Sequence, residues 1–294
     1  NVTYSILIPG DNNQITQIHI QHASENFVRT LTAKPLRDTE LQSATARYLQ
    51  LLWNKHSILD IKGIGLADRV SLNLPLLAMY VPLKARIELP AGETWRRALK
   101  VAGRTVGEEE RLVMGERLSV PLPLLDLLAE HAGLVILGDP GAGKTTFLKH
   151  LALGLALDQP PLPALAQRLP ILIPLAAYAN ELAQHDCSLQ EFLAEYYHRQ
   201  GIEDLPVADL LRSALRNGRA LLLFDGLDEV QETGQRARIV SRVESFFAHH
   251  RQVGNKFVLT SRIVGYRDAP LNAPGVQSCT LVDFDAEEQT AFVE

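Results

Sequence analysis

From residue 120 onward the rhythm of hydrophobic and polar positions switches repeatedly between two periods. Continuous apolar runs at Leu134–Leu137, Ile171–Leu175, Ala220–Phe224, Lys256–Thr260 and Ser278–Val282 predict short strands buried on both faces. Between them apolar residues return at helical spacing. Leu122–His131 starts near Pro121, where a proline is tolerated, and Lys144–Leu157 sets Leu148, Leu151, Ala152 and Leu155 on one face. Leu189–Gln200, Val207–Asn217 and Gln235–His250 continue the series, and Gly218 suits a C-cap. Strands alternating with helices in this way predict an α/β fold, a three-layer parallel sheet with helices on both faces.

Before residue 120 the pattern is looser. Val2, Tyr4, Ile6 and Ile8 alternate, Gly10-Asp11-Asn12-Asn13 supplies turn chemistry, and Ile18 and Ile20 alternate again, so residues 2–20 predict a β-hairpin. Gln21–Asp38 reads as a polar linker. Leu41, Ala44, Tyr48, Leu51 and Leu52 predict an amphipathic helix over 39–56. Leu74–Ile87 is apolar but broken by Pro75 and Pro82, which leaves an edge strand over Met79–Ile87 at best. Residues 91–117, rich in glycine and charge, read as a surface connection with one short helix. The resulting partition is a hairpin and linker over 1–38, a helical and strand region over 39–117, and the α/β core over 118–294.

Chemistry enters at the strand ends. The first buried strand runs into Gly138-Asp139-Pro140-Gly141-Ala142-Gly143-Lys144-Thr145, the pattern G-x-x-x-x-G-K-[ST] between a strand and a helix. Glycines at 138, 141 and 143 let the backbone turn its N–H groups inward around phosphate oxygens. The helix from Lys144 aims its positive end at the same place. Lys144 is expected to reach the β- and γ-phosphates, Thr145 to coordinate Mg2+, and Thr146 to add a phosphate contact. A nucleoside triphosphate with magnesium is the expected cofactor.

The apolar strand ending at Phe224 delivers Asp225, followed by Gly226-Leu227-Asp228-Glu229. In an open α/β sheet ligands bind beyond the carboxyl ends of the strands. Asp225 is therefore expected to hold magnesium, through water. Hydrolysis needs a further carboxylate to orient or deprotonate the attacking water, and Asp228 and Glu229 are both candidates. At the next strand end, Thr260, Ser261 and Arg262 are candidates to sense the γ-phosphate.

Charge and composition remove several classes. A net charge of −5, from 29 basic and 34 acidic residues, gives no sign of a dedicated nucleic-acid or anionic-membrane binder. No apolar run approaches the ~20 residues of a membrane span, and the first residues lack a signal-peptide pattern. Cys187 and Cys279 stand far apart, which argues against a disulfide framework and for a cytoplasmic setting. The nine histidines show no metal spacing. Arg236, Arg238 and Arg242 read as a solvated helix face in preference to an arginine finger. Trp53 and Trp95 read as packing residues, and Gly103–Gly107 lacks the preceding strand that a second nucleotide loop needs. Asn255-Lys256 continues into Phe257-Val258, so the guanine-reading pattern Asn-Lys-x-Asp is missing. ATP is the default nucleotide, with GTP as the alternative. The chain begins at Asn1 and ends in what reads as a barely started helix, so both ends are expected to be cuts in a longer protein.

The succession of residues 138–146, 221–229 and 259–262 resembles a NACHT domain, a branch of the STAND class of signalling P-loop NTPases. Its most specific feature is Asp225-Gly226-Leu227-Asp228-Glu229. In a typical AAA+ ATPase the catalytic glutamate directly follows the magnesium aspartate, whereas here Gly226 takes that place. The resemblance covers about residues 118–294, and residues 60–90 resemble the region preceding the core in bacterial members. It implies that Gly138, Gly143, Lys144 and Thr145 bind phosphates and magnesium, and that Asp225 holds magnesium. Asp228 or Glu229 would serve hydrolysis, and Arg262 matches the sensor arginine. It also implies a switch that hydrolyses ATP slowly, self-oligomerises after an unknown trigger ligand is sensed, and in bacterial members serves antiviral defence. The competing readings are an AAA+-like remodelling ATPase, which the acid spacing disfavours, and a non-hydrolysing nucleotide-binding interaction module.

Overall fold

The computed structural model describes residues 3–9, 15–21, 37–59, 74–87, 120–200, 205–285 and 288–289. Strands β1 (Thr3–Pro9) and β2 (Ile15–Gln21) form the expected antiparallel hairpin, with Thr3 opposite Gln21 and Pro9 opposite Ile15. The hairpin turn, most of the linker, the 91–117 connection, Trp95 and Gly103–Gly107 lie outside the described residues. Helix α1 (Asp38–His56) follows, then a two-residue pair of strands, β3 (Ile58–Leu59) and β4 (Leu74–Pro75).

The body of the protein is a seven-stranded sheet. Its elements in chain order are β5 (Lys84–Arg86), β6 (Leu122–Pro123), α2 (Leu124–Glu130), β7 (Gly133–Leu137), α3 (Lys144–Ala156), β8 (Leu169–Pro174), α4 (Leu175–Gln184), α5 (Leu189–Arg199), α6 (Val207–Arg216), β9 (Ala220–Asp225), α7 (Thr233–His250), β10 (Lys256–Ser261), α8 (Ile263–Arg267) and β11 (Val276–Leu281). The strand order is β6-β5-β11-β7-β10-β9-β8. The five strands from β11 to β8 are parallel, and β5 and β6 add an antiparallel edge. The sheet is therefore mixed, with helices on both faces, and it matches a P-loop NTPase-like α/β fold. Strand β10 lies between the phosphate-loop strand β7 and the acidic strand β9, pairing with both.

Alternation along each strand divides two cores. Leu222 and Phe224 face the core built with α4 to α7, whereas Leu221 and Leu223 face the core built with α2 and α3. Both faces of β7 and β9 are apolar because both are covered, which is why their sequences show no polar alternation. Helix α1 closes the β8 edge. The Tyr48 hydroxyl donates to the Pro170 carbonyl at 2.8 Å, and Tyr197 donates to the Leu172 carbonyl at 2.9 Å. An edge strand exposes such carbonyls to chance pairing, and here buried tyrosines satisfy them. Pro170 itself has no N–H to leave unpaired.

Several elements differ from the expectations, and α8 and the short β3–β4 pair lie where no element was expected. Helix α4 is absent from the sequence reading, because Leu175–Ala179 continues the apolar run of β8 and Pro174 supplies no polar cap. The expected strand over Met79–Ile87 shortens to Lys84–Arg86. Residues 122–123 pair as a strand, so α2 begins at Leu124 with Pro123 as its N-cap residue. Gly218 follows α6 at φ 65°, as the C-cap reading expected.

Candidate nucleotide-binding site

The site lies beyond the carboxyl ends of β7, β10 and β9. Residues 138–143 join β7 to α3, and Gly141 and Gly143 hold φ values of 80° and 83° that L side chains rarely adopt. Gly143 is the N-cap residue of α3. Gly138 serves a different purpose from its two neighbours: a Cβ there would sit 3.3 Å from the Leu281 side chain on β11. It is a close-packing glycine rather than a turn glycine. Pro140 and Gly141 are exposed at the tip of the loop, and the Asp139 carbonyl accepts from the Ala142 N–H at 3.2 Å.

The Lys144 ammonium lies inside the loop, donating to the carbonyls of Gly138 at 2.9 Å and Asp139 at 2.8 Å. Partial burial lowers its pKa from the ordinary lysine value; Arg262 adds to this, while Asp228 and Asp225 oppose it. Thr145 donates to Asp225 Oδ1 at 3.0 Å, although the two are 80 residues apart. Thr146, in the same first turn, is half-buried.

Asp225 is braced from a second side. The buried Thr260 hydroxyl donates to Asp225 Oδ1 at 2.6 Å and accepts the Gly226 N–H at 2.9 Å. Thr260 thus positions the acidic strand end, and the Ser261 hydroxyl turns to the Arg262 carbonyl at 3.0 Å. Of the three sensor candidates, only Arg262 presents an exposed side chain.

Gly226 explains the spacing of the acids. It adopts φ 73°, ψ 55°, and the chain then makes a 3-10 turn over Leu227–Glu229. A Cβ on residue 226 would fall 2.8 Å from Glu229 Cδ, so glycine both makes the left-handed turn and leaves room for the Glu229 side chain. The turn gives the two acids different surroundings. Asp228 accepts the Arg262 backbone N–H at 2.9 Å through Oδ1 and pairs with Arg262 Nε at 2.9 Å through Oδ2. The Glu229 carboxylate takes no hydrogen bond or ion pair among the described residues. Partial burial raises its pKa, the charges of Asp225 and Asp228 raise it further, and Arg262 opposes them.

Arg236 departs from the expectation of a solvated helix face. Arg236 is buried, neither a solvated face nor a finger. It donates to the carbonyls of Val230 at 2.7 Å and Gly265 at 3.2 Å and pairs with Asp268 at 3.3 Å. It ties the end of the acidic turn to α8, the helix that Arg262 caps. Its spacing was the available signal, because Ile239, Val240 and Val243 share its helical stripe. Arg238 and Arg242 make surface pairs with Asp186 at 2.7 and 2.5 Å.

Among the described residues no three or more His, Cys, Asp or Glu side chains form a metal cage. The Thr145–Asp225 pair is instead a partial set of hard oxygens. That set fits magnesium, which keeps waters and takes phosphate oxygens beside one or two protein ligands. No helix among the described residues is long and apolar enough to cross a membrane.

Fold and loop together define a P-loop NTPase-like protein. The NACHT domain family model matches residues 133–294, more than half of the chain, and the chain belongs to that family. No curated protein matches it. Family membership carries a general nucleotide-binding switch function, and self-oligomerisation and nucleotide dependence are typical of such proteins.

Proposed function

We propose that the protein is a signalling switch that binds ATP with Mg2+, hydrolyses it slowly, and controls the oligomerisation of a longer protein. The observation that carries this reading is the Thr145–Asp225 hydrogen bond, which brings the phosphate loop and the acidic strand to one point. The backbone N–H groups of Gly141, Gly143, Lys144 and Thr145, at the loop tip and the N-terminus of α3, receive the phosphates, with Lys144 exchanging loop carbonyls for phosphate oxygens. Thr145 and Asp225 hold the magnesium, which neutralises phosphate charge when bound.

The surroundings of the acids favour Glu229 as the base that orients and deprotonates water. Asp228 has both oxygens engaged by Arg262, whereas Glu229 is unengaged and held at a raised pKa. Asp228 is then a positioning residue for Arg262. Arg262 reads the γ-phosphate, and its return to Asp228 when that phosphate leaves is the conformational signal.

Paired variants test the assignment. Glu229→Gln is expected to lower turnover by about 10²–10⁴-fold with nucleotide affinity kept. Asp228→Asn is expected to lower it less and to weaken the preference for triphosphate over diphosphate. Full turnover in Glu229→Gln sinks the assignment of Glu229 as the base, and nucleotide binding without any turnover in the parent protein leaves a nucleotide-holding interaction module.

A further inference from the structure

A cavity adjoins the Thr145–Asp225 pair and touches the phosphate loop through Thr145. It measures about 490 Å³ and lies among the ends of α1, α5 and β8 and the second turn of α3, with Thr145 and Asp225 on its wall. Its walls are largely apolar, supplied by Leu51, Leu52, Ile173, Pro174 and the tyrosines 48, 196 and 197. Lys55 and Lys149 both line it.

Among the described lining residues the charge of this cavity is unbalanced. Asp225 is the one carboxylate among its described lining residues, and it is already engaged by Thr145 and Thr260. Lys149 has no hydrogen bond or ion pair among the described residues. The Lys55 ammonium donates to Gln200 Oε1 and stands 6.0 Å from the centre of the Tyr196 ring, both neutral partners. Partial burial and the charge of Lys149 lower the pKa of Lys55, and burial with the two lysines pushes His56 down to about 4. Two like charges lining one cavity with apolar walls repel each other, and an anion between them removes that repulsion. The volume falls within the range of small-molecule sites, which combine apolar walls with a few converging polar groups.

We propose that this cavity binds an organic anion, a flat apolar body carrying a phosphate or carboxylate, with the anionic group between Lys55 and Lys149 and the body against Tyr196. Its ligand would touch the wall formed by Thr145 and Asp225, so occupancy would be felt at the magnesium-holding pair.

The test uses a Lys144→Ala background, in which the phosphate loop does not compete, so this proposal and the nucleotide reading fail separately. Phenyl phosphate is the probe, followed by ligand-observed NMR. It is expected to bind in the millimolar range of a fragment. Lys149→Gln is expected to weaken it about ten-fold, the size of one charge-assisted contact. Tyr196→Ala is expected to weaken phenyl phosphate while leaving inorganic phosphate unchanged. Benzoate binding at the same lysines supports the site with a carboxylate as its anion. Equal binding of benzyl alcohol, no binding of phenyl phosphate, or binding unchanged when both lysines become glutamine would each overturn the proposal. Thermal melts of the variants matching the background establish that loss of binding is not loss of fold.

Discussion

Gly226→Ala separates the role of backbone turn from the role of carboxylate placement. Residue 226 sits at φ 73°, where an L side chain costs roughly 1–2 kcal/mol. In a domain of this size that corresponds to a fall of about 2–8 °C in Tm. The added methyl also lies 2.8 Å from Glu229 Cδ, closer than real Cβ contacts, and a tight 3.0 Å from Oε2. Glu229 is the flexible partner, so it moves rather than the sheet. A shift of about 1 Å at a catalytic group is enough to cost roughly 100-fold in rate. The variant is therefore expected to melt a few degrees lower, bind nucleotide within about three-fold of the parent (a difference under 1 kcal/mol), and lose most turnover in a steady-state phosphate-release assay. Gly226→Asn is the control. Asparagine tolerates the left-handed region better than alanine but carries the same Cβ, so it should recover stability and not turnover. If Gly226→Asn restores turnover, or Gly226→Ala never loses it, the argument that residue 226 makes room for Glu229 is wrong.

Two further perturbations follow from the same turn. The raised pKa of Glu229 means that its basic form is lost as pH falls through a value above the ordinary 4.5. The acid limb of the pH–turnover profile should lie above that value and move down in Asp228→Asn, which removes one of the charges that raise it. By linkage the sign for stability is opposite: this carboxyl binds its proton more tightly in the fold, so it adds stability on acidification, which pH-dependent denaturation reads. Arg236→Met strands the buried carbonyls of Val230 and Gly265, an expected loss of about 2–4 kcal/mol in urea unfolding, with turnover falling because α8 loosens from the acidic turn. Unchanged stability in that variant contradicts its role as a tie.

The parallel strands were legible because burial on both faces erases polar alternation, and each of β7 to β11 lies within two residues of its apolar run. Helix α4 was not, because Pro174 ends β8 and opens the helix while the apolar run continues through both. The insertion of β10 between β7 and β9 depends on pairings between distant segments, which no local pattern encodes. The phosphate loop was readable from spacing alone, but the separate duties of its glycines were not: Gly138 is small because β11 packs on it. The choice between Asp228 and Glu229 stayed open in the sequence for a similar reason. It rests on the left-handed turn at Gly226 and on the approach of Arg262 from another strand.

On the proposed reading, residues 138–145 receive the phosphates of a nucleotide whose magnesium Thr145 and Asp225 hold. Calorimetric titration of ATP into the protein and into Lys144→Ala, each with magnesium and with EDTA, tests it most directly. Binding to the parent protein is expected to be saturable and to weaken when magnesium is chelated. In Lys144→Ala binding is expected to be lost or weakened by at least about 100-fold, the upper range for charge-assisted contacts to phosphate. Equal affinity in the parent and the variant, or no binding to the parent, contradicts it.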